Sequence, residues 1–263
     1  MENGRFSGGY NCLVLLGPTA AGKTALAVRL AHVLNAEIIS ADSRQVYQGL
    51  DIGSGKDLQE YFLLDEAGQE NFVPVHLIDI TDLTQEYSAF AFLRDAYKAF
   101  ADITGRGGLP LLTGGTGMYV DAFVRGYQFS GLSTPLTRPD IRPLVMGTTL
   151  PRHQLHKNIV KRLRSRFKEG MTEEVTALHE QGVSWERLER LGLEYRFIAE
   201  FLQGKIETQT ALFRALTHAI NQFAKRQETW FRGMERKGVV IHWIPPGTVE
   251  ERFAWARDFV REL

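Results

Sequence analysis

Apolar residues recur along this chain in two rhythms. Up to about residue 150 they come as short unbroken runs between helical stretches, and beyond it they recur every three to four positions. Cys12-Leu-Val-Leu-Leu16 is a run of the kind that forms a buried parallel strand. A helical pattern follows from Ala25 to Leu34, then a second short strand, Glu37–Ser40. Val75–Ile80 predicts a third strand, and Ser88 is placed to cap a helix running to Ile103. Leu109–Thr113 is a fourth, ending in Gly114-Gly-Thr-Gly117 and another helix start, and Val145–Thr149 is a fifth. Strands alternating with helices imply a parallel sheet covered on both faces.

From Pro151 the pattern is helical: His153–Lys168, Thr172–Gln181, Leu193–Leu202 and Thr208–Arg232, with Gly170, Gly182 and Gly204 marking ends. Val239–Trp243 predicts a last strand. Gly126–Pro143, rich in Ser, Thr, Gly and Pro, reads as a loop-like connection. There is no internal repeat. The expected organisation is one domain over 1–263, with a connection at 127–143 and a mainly helical part at 151–235 packed on the core.

Composition narrows the class. At 263 residues, with 44% hydrophobic and 24% charged, the chain can bury a core without staples. One cysteine, Cys12, excludes a disulfide framework and a Cys-based zinc cluster and points to a reducing compartment. No apolar run reaches a membrane span of about 18 residues, and the N-terminus has no signal-peptide pattern. A cytoplasmic protein with no membrane partner is expected, and nothing in the sequence demands more than a monomer.

The formal net charge is zero, which at first argues against a nucleic-acid partner. Divided at residue 150 the sum separates. Residues 1–150 hold 11 Lys and Arg against 16 Asp and Glu, and residues 151–263 hold 20 against 15. Between Val124 and Lys168 the sole acid is Asp140, among ten basic residues. A solvated helix face is the bland account of such a run. Its length favours a phosphate-binding surface.

Gly17-x-x-x-x-Gly22-Lys23-Thr24, directly after a strand and opening a helix, is a P-loop in its required context. Loop N–H groups (Gly17, Thr19, Ala20, Ala21, Gly22) and Lys23 would face a diphosphate, and Thr24 is placed to ligate Mg²⁺. The alternative is a glycine-rich turn without ligand. The expected fold is therefore a P-loop NTPase-like three-layer α/β/α parallel sheet with a helical C-terminal part. Phosphoryl-transfer enzymes also need an acid at a strand end for Mg²⁺. Asp79 is one candidate; Asp42, just past the second strand, is better placed to face the P-loop as a general base. Asp42 capping a turn is the plainer account.

Six motifs then occur in order: GPTAAGKT (17–24), SADSRQVYQGLDIGSGK (40–56), HLIDI (76–80), YSAFAF (87–92), GGTGMYVDA (114–122) and AKRQETWFR (224–232). Together they resemble the tRNA dimethylallyltransferase, or tRNA isopentenyltransferase, family over most of residues 12–243. The resemblance implies transfer of a dimethylallyl group from dimethylallyl diphosphate to N6 of an adenine beside the tRNA anticodon. It implies that the P-loop holds the prenyl donor's diphosphate, with Arg162 reaching it as well. Asp42 matches the catalytic aspartate and Thr116 a residue near the reacting centre. For tRNA the matches are Asp42, Ser43, Arg44 and Gln45, then Arg142, then Arg190, Tyr195 and Arg196 in a segment with extra residues, and Lys225, Arg226 and Gln227. For the last group the alternative is that Trp230 and Phe231 are core while Lys225 and Arg226 cap a helix end.

Two departures bear on the substrate. The family has a helical insertion of several dozen residues that here shrinks to roughly Tyr127–Arg142, and Ile220-Asn221 stands where a threonine–arginine pair is usual. An adenylate isopentenyltransferase acting on free AMP is the rival reading, which the short insertion favours. DSRQVY and the basic tract 152–168 favour tRNA. A non-catalytic RNA-binding relative and a small-molecule kinase are the readings from other classes.

Overall fold

The computed structural model describes residues 8–64, 68–127, 129 and 136–263. Its centre is β1 (Cys12–Leu16), buried along its whole length, as an unbroken apolar run requires. The rest of the chain adds, in order, α1 (Lys23–Leu34), β2 (Ala36–Ser40), a 3₁₀ turn (Leu58–Tyr61), and the hairpin β3 (Phe62–Leu64) and β4 (Glu70–Phe72). Then come β5 (Val75–His76), α2 (Ala89–Gly105), β6 (Leu109–Gly114), α3 (Gly117–Arg125) and β7 (Pro143–Gly147). The helices α4 (Arg152–Lys168), α5 (Met171–Glu180), α6 (Trp185–Arg190), α7 (Leu193–Leu202) and α8 (Gln209–Arg236) follow. β8 (His242–Trp243) and α9 (Val249–Glu262) close the sequence of elements.

The main sheet is parallel in the order β5-β2-β6-β1-β7-β8. One face packs on α2, α3 and the end of α8, through Phe92, Phe100, Phe123 and Phe231. The other packs on α1 and α9, through Leu26, Leu30, Ala256 and Val260. A third apolar cluster joins α4–α8 to Val46, Tyr47 and Leu50 of the segment after β2. The 28-residue α8, about 42 Å long at 1.5 Å per residue, spans two of these clusters. It gives Leu212, Leu216 and Ile220 to the helical cluster and Phe231 and Met234 to the sheet.

Two predicted strands are shorter than their hydrophobic runs. At 75–80 only Val75 and His76 pair, because Leu77 and Asp79 adopt positive φ (65° and 54°). The chain there leaves the sheet: the N–H groups of Asp79 and Ile80 bond to the carbonyls of Gln45 and Val46 at 3.0 and 2.9 Å. At 239–243 only His242 and Trp243 pair, alongside β7. The hairpin β3–β4, the short helix α6 and the terminal helix α9 are additions to the expected elements. Part of the connection expected at 127–143, residues 128 and 130–135, lies outside the described residues. Its ends meet at an antiparallel bridge between Tyr127 and Leu136. Among the described residues no helix is long and apolar enough to cross a membrane.

Candidate active site

Parallel strands deliver their carboxyl ends to one edge of a sheet, where open α/β folds bind ligands. Here β1 delivers the P-loop, β2 delivers Ala41 and Asp42, and β6 delivers the Gly114-Gly-Thr116 turn. Backbone bonds fix them together: Ala41 N–H to the Thr113 carbonyl (2.7 Å) and Thr116 N–H to the Ala41 carbonyl (3.3 Å). Gly114 must be glycine, since a Cβ there would stand 2.2 Å from the Ala41 oxygen.

The P-loop is braced from three sides. Gln227 of α8 accepts from Thr19 N–H (2.8 Å) and donates to the Gly115 carbonyl (2.7 Å), tying the loop to the β6 turn. Asn158 of α4 donates to the Ala20 carbonyl (3.1 Å). Arg252 of α9, buried, donates to the Ala21 carbonyl (2.7 Å) and to Thr148 Oγ1 (3.1 Å). Gly22 starts α1 in the left-handed region (φ 77°), so the helix N-terminus and the loop amides share one concavity.

Cations crowd this concavity. Lys23 Nζ donates to the Pro18 carbonyl (2.8 Å), and Arg162 donates to Thr19 Oγ1. Burial, reinforced by Arg162, pushes Lys23 down to about 8, against the pull of Asp42. Burial, reinforced by Arg166, pushes Arg162 down to about 10. Like charges held together out of water fit a polyanion that would neutralise them.

Across the cleft, Asp42 Oδ1 accepts from Arg44 N–H (2.9 Å), and Thr116 Oγ1 accepts from Ser43 N–H (3.1 Å). Asp42 therefore does cap a turn, and it still lies close enough to bear on the charges of Lys23 and Arg162. Gln45 is spent locally, accepting from Ser40 Oγ (3.2 Å) and donating to the Gly55 carbonyl (3.3 Å). Arg44 lies over Gly192, between α6 and α7, where a Cβ would come within 2.7 Å of its Nε.

The helical part holds the segment after β2 through one carboxylate. Glu174 of α5 accepts from the N–H groups of Asp51, Ile52 and Gly53 at 3.2, 2.6 and 3.1 Å, and from Tyr195 OH at 2.7 Å. Tyr195 OH in turn accepts from Ser54 N–H (3.1 Å). Burial first, then Glu174, raises the phenol above its ordinary value. Buried Arg166 donates to the Gly53 carbonyl (3.1 Å) and pairs with Glu194 (3.3 Å).

Several residues matched to tRNA contacts therefore stand elsewhere. Tyr195 and Gln227 are buried and use their polar atoms inside the protein. Arg142 immediately precedes β7 at the amino edge of the sheet, bonded through its backbone to Asn11, and the structure does not bring it to the cleft. Arg196 pairs with Glu200 (2.8 Å), and Arg190 lies 3.8 Å from Glu86, both exposed. Lys225 and Arg226 are exposed on α8, and neither forms an ion pair among the described residues. Asp79 pairs with Lys56.

The basic tract resolves into two faces of α4. Arg162 and Arg166 turn inward; Arg152, Lys157, Lys161, Arg164 and Lys168 are exposed and form no ion pair among the described residues. For a divalent cation, the described residues offer no cluster of three carboxylate, histidine or cysteine groups. Thr24, in the first turn of α1, lies beside Glu60, whose carboxyl is raised by burial first and then by Asp57, and lowered by Arg162, Arg166 and a bond to Thr24. This donor set fits Mg²⁺, which keeps phosphate and water ligands in preference to an all-protein cage. Arg252, Arg166, Asn158 and Glu174 were missed by sequence reasoning. Each meets the site across more than a hundred residues, and local spacing carries no signal for that.

Comparison with known proteins bears on the family and the fold. The family model described as IPP transferase matches residues 45–142 and 129–234, and that described as isopentenyl transferase matches 10–64. A tRNA dimethylallyltransferase 2 of Treponema denticola is 44% identical over 294 aligned positions, covering 89% of this chain and 96% of its own. Since 89% of 263 is about 234 residues, about 60 of those positions have no counterpart here. One from Trichlorobacter lovleyi is 43% identical, covering 90% of this chain and 93% of its own. Among solved structures, the tRNA delta(2)-isopentenylpyrophosphate transferase of Staphylococcus epidermidis superposes with a TM-score of 0.79 at 26% identity, covering 96% of this chain and 99% of its own. That of Bacillus halodurans gives 0.77 at 26%, covering 96% of each chain.

Proposed function

This chain belongs to the IPP transferase family, and we propose that it transfers a dimethylallyl group from dimethylallyl diphosphate to N6 of an adenine beside the tRNA anticodon. The observation that carries the reading is the meeting, in one cleft, of a cation-crowded anion cradle with Asp42 and Thr116. The donor's diphosphate lies in the P-loop, against Lys23, Arg162 and the N-terminus of α1. As the bond between donor C1 and the bridging oxygen breaks, negative charge grows on the diphosphate, which these groups stabilise. N6 forms the new bond to C1, and its proton passes to Asp42, whose carboxylate acts on the charges of Lys23 and Arg162. Thr116 holds the turn carrying Asp42 by accepting from Ser43 N–H. Thr24 would help hold Mg²⁺, which would supply further charge neutralisation at the diphosphate when bound. A cytoplasmic monomer is part of the proposal.

The names of the relatives favour tRNA over free AMP as acceptor. So do the exposed cations of α4, since one nucleotide needs only two or three. The family model matches in two pieces that overlap at 129–142, which supports a shortened insertion at that connection.

The test is transfer of labelled dimethylallyl from its diphosphate, with Mg²⁺, to unmodified tRNA or to AMP. Label in tRNA is expected. Label confined to AMP identifies the free-nucleotide enzyme, and none in either overturns the prenyl-transfer reading. Asp42→Ala is expected to keep tRNA affinity and lose transfer about 10²–10⁴-fold.

A further inference from the structure

Arg252 stands where a positive charge is poorly placed. Only 5% of it is exposed, and it forms no ion pair among the described residues. It closes the first turn of α9, N–H to the Thr248 carbonyl (3.1 Å), at the end where the helix macrodipole is already positive. The start of α1 is as near: a Cβ on Gly22, the N-cap of that helix, would stand 3.2 Å from a terminal nitrogen of Arg252. Two acids share its turn, and neither pairs with it. Glu251 accepts from Thr248 N–H (2.8 Å), and Glu250 lies 3.5 Å from Arg29. Burial lowers the basicity of the guanidinium, and Glu250 opposes this only in part. A charge kept from water without a carboxylate costs the fold stability, and a nearby anion would relieve that cost.

What Arg252 holds is one peptide group of the P-loop. The guanidinium donates to the Ala21 carbonyl (2.7 Å) and to Thr148 Oγ1 (3.1 Å), just past β7. The Ala21 carbonyl and the Gly22 N–H belong to the same planar trans peptide and point in opposite directions. Drawing the carbonyl back onto Arg252 therefore aims the Gly22 N–H forward, into the concavity of loop amides. The loop needs such a hold. Ala20 and Gly22, on either side of Ala21, both adopt left-handed φ (62° and 77°), and a non-glycine residue stays there only where its surroundings fix it.

We propose that Arg252 is a positioning residue of the donor site, aiming the Gly22 N–H at the diphosphate and backing the loop with a buried positive charge. The inference rests on the reading of the P-loop as the diphosphate site. Lys23 and Arg162 meet the anion from the cleft; Arg252 acts through the loop from behind it. The terminal helix α9 thereby becomes part of the donor site.

The test is titration calorimetry of inorganic diphosphate with Mg²⁺ on the wild type, Arg252→Met, Arg252→Lys and Arg252→Gln, each checked by circular dichroism. Arg252→Met should weaken diphosphate binding about 10- to 100-fold, as when a group behind a metal's ligands is lost. Affinity for tRNA should stay unchanged, and Arg252→Lys should recover part of the diphosphate loss. Equal diphosphate affinity in the wild type and Arg252→Met would overturn the assignment. So would a loss that diphosphate and tRNA share, or one that Arg252→Lys does not reduce, because either marks a brace of the fold alone. If Arg252→Met does not fold, Arg252→Lys must still bind diphosphate more tightly than Arg252→Gln, and equal or reversed affinities overturn the assignment. No diphosphate binding by the wild type would remove the cradle and this inference together. Diphosphate binding without prenyl transfer would overturn the donor reading and leave Arg252 in its role.

Discussion

The inward and outward faces of α4 carry the same residue types and meet opposite physics. Arg162 and Arg166, four residues apart, both enter the protein, Arg162 beside Thr19 and Lys23 and Arg166 at Gly53 and Glu194; Lys157, Lys161, Arg164 and Lys168 stay in water. On the inward side Lys23 and Arg162 are depressed in basicity by burial and by neighbouring positive charge, which makes them selective for a compact polyanion in one place. The outward group keeps its hydration and its freedom, so it attracts any phosphate backbone, strongly at low salt and weakly at high salt. On the proposed function a single basic tract serves both substrates, and the difference lies in which way each side chain leaves the helix.

The largest expected effect comes from breaking the inward group. Lys23→Ala should lower transfer about 10²–10³-fold, as removal of one preorganised charge-stabilising group does, while tRNA affinity measured by filter binding stays unchanged. Breaking the outward group should do the reverse. Lys157, Lys161 and Arg164 replaced together by Ala should flatten the slope of log K against log salt for tRNA by about one for each phosphate no longer neutralised. KM for the donor should then hold steady.

pH sharpens the same contrast. Burial and Arg162 push Lys23 down to about 8 in the free protein, and a bound diphosphate, as an adjacent anion, should raise it again. Donor affinity should therefore fall by up to tenfold per pH unit above about pH 8, with a proton taken up on binding. The ligand-free protein behaves oppositely. The cost of burying a charged Lys23 is fully present below pH 8 and fades as pH rises to 10.5, so stability relative to Lys23→Met should rise over that range. Titration calorimetry and denaturant melts across the range from about pH 7 to about pH 10 read both. The smallest effect is structural: Tyr195→Phe removes the bridge between Glu174 and Ser54 and should cost about 1 kcal/mol in urea denaturation, with tRNA affinity little changed.

What the sequence made legible follows from distance along the chain. The P-loop, Asp42 and Thr116 are short contiguous signals at strand ends, and the structure gathers them at one edge. The strand predicted at 75–80 shortens to Val75–His76 because Leu77 and Asp79 turn to positive φ, and Asp79 and Ile80 are held by the loop after β2 instead of a neighbouring strand. α9 carried a readable start, the capping box Thr248-Val-Glu-Glu251, that apolar periodicity alone does not reveal. The resemblance matched Gln227 and Tyr195 to RNA contacts; in the fold both are buried and use their polar atoms as braces. The charge arithmetic located the basic tract but not its two faces, since net charge carries no direction.

The claim on which the rest depends is that the inward cations are shaped for a prenyl diphosphate and not for a nucleotide. Titration calorimetry of the protein and Mg²⁺ with the unreactive dimethylallyl S-thiolodiphosphate, beside ATP, tests it directly. The prenyl compound is expected to bind more tightly than ATP, and Lys23→Ala to abolish its heat of binding. ATP binding more tightly than the prenyl analogue, through the same Lys23, would contradict it.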